Sequence, residues 1–133
     1  MSSAQSSPFG FGLQCPLRMT SSKDFATASG EALVRSDLEE LVNIEPGDIL
    51  WRPSLGTGLG RLRHRMNTQA LADLARVQVQ HAVARYDSRV RLLGVVSPPP
   101  TRDAPSRREF AIVYQPKALG AAAGDTQTVK AAI

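Results

Sequence analysis

Cysteine is almost missing from this chain. Cys15 stands alone among 133 residues, which excludes an internal disulfide and a cysteine-built zinc site and fits a reducing compartment. Aromatic residues are scarce at 5%, so a surface of interleaved stacking platforms for nucleic acid is not indicated. No apolar run approaches the roughly 18 residues of a membrane-spanning helix, so no membrane insertion is expected. The opening Met1-Ser2-Ser3-Ala4-Gln5-Ser6-Ser7-Pro8 lacks the basic and apolar regions of a secretory signal. No fixed repeat runs through the chain, which excludes collagen-like and coiled-coil classes.

What is present is ordinary for one globular domain: 42% hydrophobic and 21% charged residues. Sixteen basic residues against 12 acidic ones leave a net charge of +4. That balance permits an acidic partner or nucleic acid and demands neither. The basic excess collects at Arg61, Arg63, His64 and Arg65, and again at Arg102, Arg107 and Arg108.

Residues 1–8 are Ser-rich and read as a disordered arm. Residues 9–20 alternate weakly through Phe9, Phe11 and Leu13, with Gly10, Gly12 and Pro16 limiting any strand, so an edge strand or extended arm is expected. A first helix is predicted over 31–44, where Val34, Leu38, Leu41 and Val42 share one face. Ser36 and Glu39 match a capping box, which allows a later start at Ser36. Glu45-Pro46-Gly47-Asp48 is a stop-and-turn signal. A short apolar run, Ile49-Leu50-Trp51, leads through Arg52 and Pro53 into the glycine-rich loop Gly56-Thr57-Gly58-Leu59-Gly60. Leu59, Leu62 and Met66 can share the face of a helical turn. A second helix is predicted over 68–86 behind an Asn67-Thr68 cap, with Leu71, Ala75, Val79, Ala82 and Tyr86 on its apolar stripe.

Arg89–Ser97 reads as a strand with Val90, Leu92, Gly94 and Val96 on one face and Arg91, Leu93 and Val95 on the other. Apolar positions on both faces suggest a strand covered on both sides. After a Pro/Arg/Asp loop, Glu109–Gln115 reads as its hairpin partner, Phe110, Ile112 and Tyr114 alternating with Ala111 and Val113. Residues 117–133 read as a flexible tail. The expected fold class is a small single α+β domain over 9–116: two main helices packed on a small antiparallel sheet that ends in a C-terminal β-hairpin, with flexible arms at both ends.

Signals for chemistry are weak. The glycine loop lacks the Lys-Ser/Thr ending of a phosphate loop and the third glycine of a dinucleotide fingerprint, so tight turns are the simpler explanation. The acids Glu31, Asp37, Glu39, Glu40, Glu45 and Asp48 crowd one helix and its terminal turn rather than facing each other across a cleft. His64 and His81 have no metal-ligand spacing, and Cys15 is expected to be inert. No catalytic residue, metal or cofactor is indicated. Tyr86-Asp87-Ser88-Arg89, at the junction of the second helix and the first strand of the hairpin, stands out as an interaction feature. Its arginine can grip a carboxylate on a partner or on the same chain.

These segments, in this order, resemble the baseplate wedge and sheath-initiator family of contractile phage tails and injection systems, the baseplate assembly protein W-like proteins. The resemblance runs over about residues 9–115. It is carried by Gly10-Phe11-Gly12-Leu13 with Pro16-Leu17, by Gly30-Glu31-Ala32-Leu33-Val34-Arg35, by Leu38 through Asp48, by Arg52-Pro53-Ser54-Leu55-Gly56-Thr57-Gly58-Leu59, and by Tyr86-Asp87-Ser88-Arg89-Val90. In the family the last segment usually reads aromatic-Glu-Pro-Arg-Ile. Here Asp87 replaces the Glu and Ser88 the Pro, while Arg89 is kept.

The resemblance implies a structural, non-enzymatic baseplate component, without cofactor, that joins the wedge to the sheath. The implied partners are the sheath protein, the baseplate wedge proteins and inner tube or hub proteins, with six copies per baseplate, no nucleic acid, and a cytoplasmic assembly phase before incorporation. It implies wedge docking by Tyr86, Asp87, Ser88 and Arg89. Sheath-strand pairing by β-augmentation falls to Val90, Leu92, Val95, Glu109, Phe110, Ile112 and Tyr114. Pro46, Gly47, Arg52, Pro53, Gly56 and Gly58 shape the turns. On this view Ile112→Pro damages the sheet or its augmentation, and Arg89→Glu weakens docking without unfolding the domain. A small basic nucleic-acid-binding module centred on residues 61–65 is the alternative, and a small hydrolase a third class. The parent particle, whether phage tail, type VI system or extracellular device, is left open.

Overall fold

The protein, analysed as a computed structural model, is described over residues 9–62, 65, 68–99, 102–103, 109–117 and 126–132. The expected arm at 1–8 lies outside them. Two short strands, β1 (Phe11–Leu13) and β2 (Thr27–Ser29), pair antiparallel as an N-terminal ribbon. Helix α1 (Gly30–Asn43) follows directly, then a 3₁₀ turn at Leu59–Leu62 and helix α2 (Gln69–Tyr86). Strands β3 (Val90–Val96), β4 (Glu109–Pro116) and β5 (Gln127–Ala132) form an antiparallel sheet in the order β3-β4-β5. The fold class is α+β, as expected. Among the described residues no helix is long and apolar enough to cross a membrane.

Each helix is amphipathic in the way its spacing dictates. Leu33, Val34, Leu38, Leu41 and Val42 of α1 are buried, as are Leu71, Ala72, Ala75, Val79, Ala82 and Val83 of α2. Helix α1 begins at Gly30, a full turn and more before Ser36, because the face that starts at Leu33 extends its buried contact N-terminally. The Thr68 hydroxyl caps α2 by accepting from the Leu71 amide at 3.2 Å. The helices pack against the sheet, α2 beside β3 and α1 beside β5. Phe110, Ile112, Tyr114 and Val129 fill the layer between them and are fully buried.

The sheet departs from expectation in three ways. First, it has a third strand. Residues 127–132, expected to lie in a loose tail, pair with β4 from Tyr114↔Gln127 to Glu109↔Ala132. The Ala/Thr-rich composition hides a strand that contributes one large core residue, Val129. Second, β4 is therefore the central strand, and β3, expected to be covered on both faces, is an edge. Third, β3 does not alternate throughout. The register shifts between Leu92 and Gly94, so Leu93 bulges out of the ladder. Val95 then turns inward to join Val90, while Leu93 and Val96 are 49% and 55% exposed.

The glycine-rich loop finds its role at the end of α1. Thr57 donates its amide to the Ile44 carbonyl at 3.1 Å and its buried hydroxyl to the Val42 carbonyl at 2.9 Å, satisfying carbonyls that a helix end leaves open. Gly56 makes this approach possible. Its φ is +129°, and a Cβ there would stand 2.4 Å from the Ile44 carbonyl oxygen.

Two outcomes follow from the third strand. Val129→Ala should cost about 2 kcal/mol in urea unfolding, the scale of a lost buried aliphatic group; a silent substitution would restore the loose tail. The Tyr114 hydroxyl donates to Gln127 Oε1 at 3.1 Å, and burial raises its pKa above the ordinary value of 10.0. The unfolded chain ionises this phenol first, so the stability it contributes is whole below pH 10 and is lost as pH rises toward the folded value. Tyr114→Phe should be less stable by about 1 kcal/mol at neutral pH. The gap should narrow in unfolding curves recorded above about pH 10.

Candidate docking site at the end of the second helix

Helix α2 ends at Tyr86, and Asp87 caps it with its backbone amide on the Val83 carbonyl at 3.0 Å. The Asp87 side chain then reverses the chain direction. Its Oδ1 accepts from the Arg89 amide at 3.1 Å, an Asx turn that needs the short side chain of aspartate. Ser88, exposed at the crest, stands where the resembled family has proline. The turn that a proline would stiffen is held here by the aspartate.

Arg89 folds back onto the same carboxylate. Its Nε donates to Oδ1 and its Nη2 to Oδ2 of Asp87, each at 3.0 Å, a two-pronged grip. Nη2 also donates to Asp37 Oδ2 of α1 at 2.6 Å, and Nη1 to the Phe9 carbonyl at 3.4 Å. Hydrogen bonding to Asp87 raises the Arg89 pKa above its ordinary value, against the opposing effect of burial, with Asp37 adding in the same direction. One guanidinium thus ties together the α2–β3 junction, α1 and the N-terminal segment.

Tyr86 points the other way. Its hydroxyl donates to the Ser54 carbonyl and lies 3.0 Å from the Ser54 hydroxyl. Arg52 and Arg85 approach its ring, with guanidinium carbons 6.0 and 5.4 Å from the centroid. Between this corner, α1 and the N-terminal ribbon lies a groove of about 420 Å³, lined by Leu13, Glu40, Leu41, Arg52 and Leu55 beside the Arg89 cluster. Cys15 also lines it. A hydrogen bond to Glu40, then burial, raises the thiol's pKa, which disfavours the nucleophilic thiolate form.

The structure brings together only part of the sequence-derived sites. Tyr86, Asp87 and Arg89 converge, and Arg89 directs its donors to Asp87, Asp37 and the Phe9 carbonyl of its own chain, the intrachain option its Asp-x-Arg spacing allowed. Val90, Val95, Phe110, Ile112 and Tyr114 are buried core residues, Leu92 is half-buried and Glu109 exposed. Strand β4 is hydrogen-bonded on both sides, so the expected offer of its backbone to a partner strand is corrected. Ile112→Pro would remove an amide donor from one of the two ladders of the chain's own sheet. Pro46 and Gly47 turn the chain after α1, where Asp48 donates its amide to the Glu45 carbonyl at 3.0 Å. Gly56 and Gly58, at positive φ, shape the cap of α1, and Pro53 lies exposed between Arg52 and Ser54.

In the basic segment, Arg61 and Arg65 are exposed but Leu62 is a core residue. Arg63 and His64 lie outside the described residues, as do Arg107 and Arg108. Among the described residues no group of three His, Cys, Asp or Glu side chains could hold a metal ion.

Asp37 and Ser54 were not singled out from the sequence. Asp37 was detectable: it lies three residues after Val34 and four before Leu41, at the margin of the buried face of α1, where a carboxylate calls for a cation. Nothing in the sequence pointed to Ser54 as the partner of Tyr86.

Asp87 is only 7% exposed, so removing its cation leaves a nearly buried carboxylate unpaired. Arg89→Ala should therefore lower stability by about 2 kcal/mol, between the values for exposed and buried pairs. Combined with Asp87→Ala it should show a coupling above about 1 kcal/mol in a double-mutant cycle. An unchanged unfolding midpoint would return Arg89 to a docking role.

The family model for baseplate wedge protein gp25 matches residues 28–119. Among solved structures, the fold is similar to a chain of the cryo-EM structure of the anti-feeding prophage baseplate, six-fold symmetrised, with a TM-score of 0.73 and 24% identity over 79% of this chain and 83% of that one. It is also similar to a crystal structure from Geobacter sulfurreducens, named provisionally as a tail lysozyme, with a TM-score of 0.67 and 19% identity over 80% of this chain and 91% of that one. No curated protein matches this chain. With most of its length under the family match, from β2 through β4, this chain belongs to the baseplate wedge protein gp25 family.

Proposed function

We propose that this protein is a structural component of the baseplate of a contractile tail or injection system, and that it joins the wedge to the sheath and starts sheath assembly by offering a strand edge. The observation that carries the strand-edge part is the sheet order. With β4 interior, β3 and β5 are the two edges of the sheet, and β3 is the one that carries large exposed apolar side chains, Leu93 and Val96. An arm from a sheath subunit that adds there would gain main-chain hydrogen bonds, each worth a net 0.5–1.5 kcal/mol or about that. Register would be set by Leu93 and Val96, the apolar side chains exposed on β3, not by Phe110, Ile112 and Tyr114, which the core already uses.

The role is mechanical, not catalytic. Asp37 and Asp87 share Arg89 as a common counter-ion, which is an ion-pair triad and not the opposed acid and base of a glycoside hydrolase. Assembly with six-fold symmetry, one copy per wedge, fits a family whose relatives include the six-fold anti-feeding prophage baseplate. Sheath, wedge and inner tube or hub proteins are its proposed partners, and its place is inside the baseplate after assembly in the cytoplasm.

The test uses cells that build such particles. The protein should sediment with sheath-bearing particles. Leu93→Lys with Val96→Lys, both at exposed positions, should keep the fold but leave baseplates without sheath, because lysines on an edge strand oppose pairing. Normal sheaths on particles that carry the double variant would sink the strand-edge mechanism.

A further inference from the structure

The largest exposures among the apolar side chains of the described residues are not on the sheet. Leu50 is 88% exposed and Trp51 83%. They sit at the crest of a turn closed by the Arg52 amide on the Ile49 carbonyl at 3.0 Å, and a second turn, with the Leu55 amide on the Arg52 carbonyl at 3.0 Å, follows at once. The tip is thus held out by a fixed backbone. Large apolar side chains set together in water mark an interaction site more often than an isolated exposed leucine does.

The surroundings of the tip carry a charge. Arg52 and Arg85 flank the Tyr86 ring, which Ser54 holds in place. Among the described residues neither arginine is within salt-bridge distance of a carboxylate, whereas Arg35, Arg76 and Arg89 all are. Beside the stack a recess of about 240 Å³ opens between the loop and α2, with Val77, His81 and Arg85 along one wall. These three residues are exposed at successive four-residue steps of the helix. Trp, Tyr and Arg are the side chains that carry most of the binding energy in protein interfaces. Two uncompensated cations, already ordered on a ring, lose little freedom when a carboxylate arrives.

We propose that the Leu50-Trp51 tip and the Arg52–Tyr86–Arg85 stack form one docking surface for a neighbouring protein chain. That chain would present an apolar pocket for the indole, with aspartate or glutamate at its rim. Charge complementarity selects this occupant. It rests on the reading of the protein as a baseplate component, and it moves the wedge contact from Arg89, which is engaged internally, to the opposite side of Tyr86.

The experiment replaces the protein by Trp51→Ala, or by Arg52→Glu with Arg85→Glu, in cells that build particles. A third strain carries a photo-crosslinking residue at position 50. Both variants should melt close to the unaltered protein, since the altered side chains are exposed. Each should lower the amount sedimenting with particles roughly tenfold or more, the loss expected for a central interface anchor. The crosslink should join position 50 to an Asp- or Glu-containing peptide of another protein. Unaltered sedimentation of both variants overturns the proposal, and so does an adduct with nucleic acid or only with this chain. If the unaltered protein itself fails to sediment with particles, the baseplate reading falls. The crosslink in whole cells then decides the docking surface separately: an acidic peptide of another protein upholds it, and its absence overturns it.

Discussion

Arg89 and the two aspartates it holds set the geometry on which the rest of this small domain depends. The guanidinium reaches from the end of α2 to α1 and to the backbone at Phe9. Asp87 is nearly buried, and a carboxylate in that position is tolerated only if paired and hydrogen-bonded. Its three hydrogen bonds from Arg89, two to Oδ1 and one to Oδ2, fix the direction in which the chain leaves α2. Because β3 starts at the next residue, the angle between helix and sheet follows from this turn. A part-buried pair of this kind adds little net stability over apolar packing, but its geometry is specific. Specific geometry is what an assembly part requires.

A second lock works at the other end of the helical layer. The Gly56-Thr57-Gly58 loop closes α1 by taking up the carbonyls of Val42 and Ile44. It does so with a backbone approach that only glycine permits at residue 56. The same loop carries Ser54, which holds Tyr86, and Arg52, which lies over its ring. The glycine motif therefore has no need of a phosphate to explain it. It joins the end of α1 to the end of α2 and places the exposed Leu50-Trp51 tip between them.

Much of this was legible in the sequence, for identifiable reasons. The two helices announced themselves because their buried faces recur at helical spacing through Val34, Leu38 and Leu41 and through Leu71, Ala75 and Val79. Strand β4 did so because Phe110, Ile112 and Tyr114 alternate over a strand with one fully buried face. Strand β5 did not. Its side chains are small or polar apart from Val129, and its place comes from pairing with β4, a long-range property that no local pattern encodes. The bulge at Leu93 was hidden for the same reason, since one inserted residue reverses every inside–outside assignment after it. At the candidate site, the Asp-x-Arg spacing was visible, but whether its arginine faces a partner or its own chain depends on where α1 brings Asp37.

The edge of β3 poses a conflict that its bulge resolves. A free, flat strand edge attracts any other strand, and a protein made before its partners must avoid pairing with itself. Leu93 interrupts the ladder in mid-strand and increases the local twist. A passing strand finds only a few matching donors and acceptors on either side of it. Under the proposed strand addition, a sheath arm delivered next to this edge by a protein already fixed on the baseplate would have a high effective concentration and tolerate a short match. On that proposal, two weak, spatially fixed contacts, an edge that pairs poorly alone and a charged aromatic corner around Tyr86, would give selective assembly without a strong interaction at either. Straightening β3 by deleting Leu93 should test this directly. The variant should self-associate in sedimentation equilibrium at concentrations where the unaltered protein is monomeric, and a variant that stays monomeric would mean that the bulge does not guard the edge.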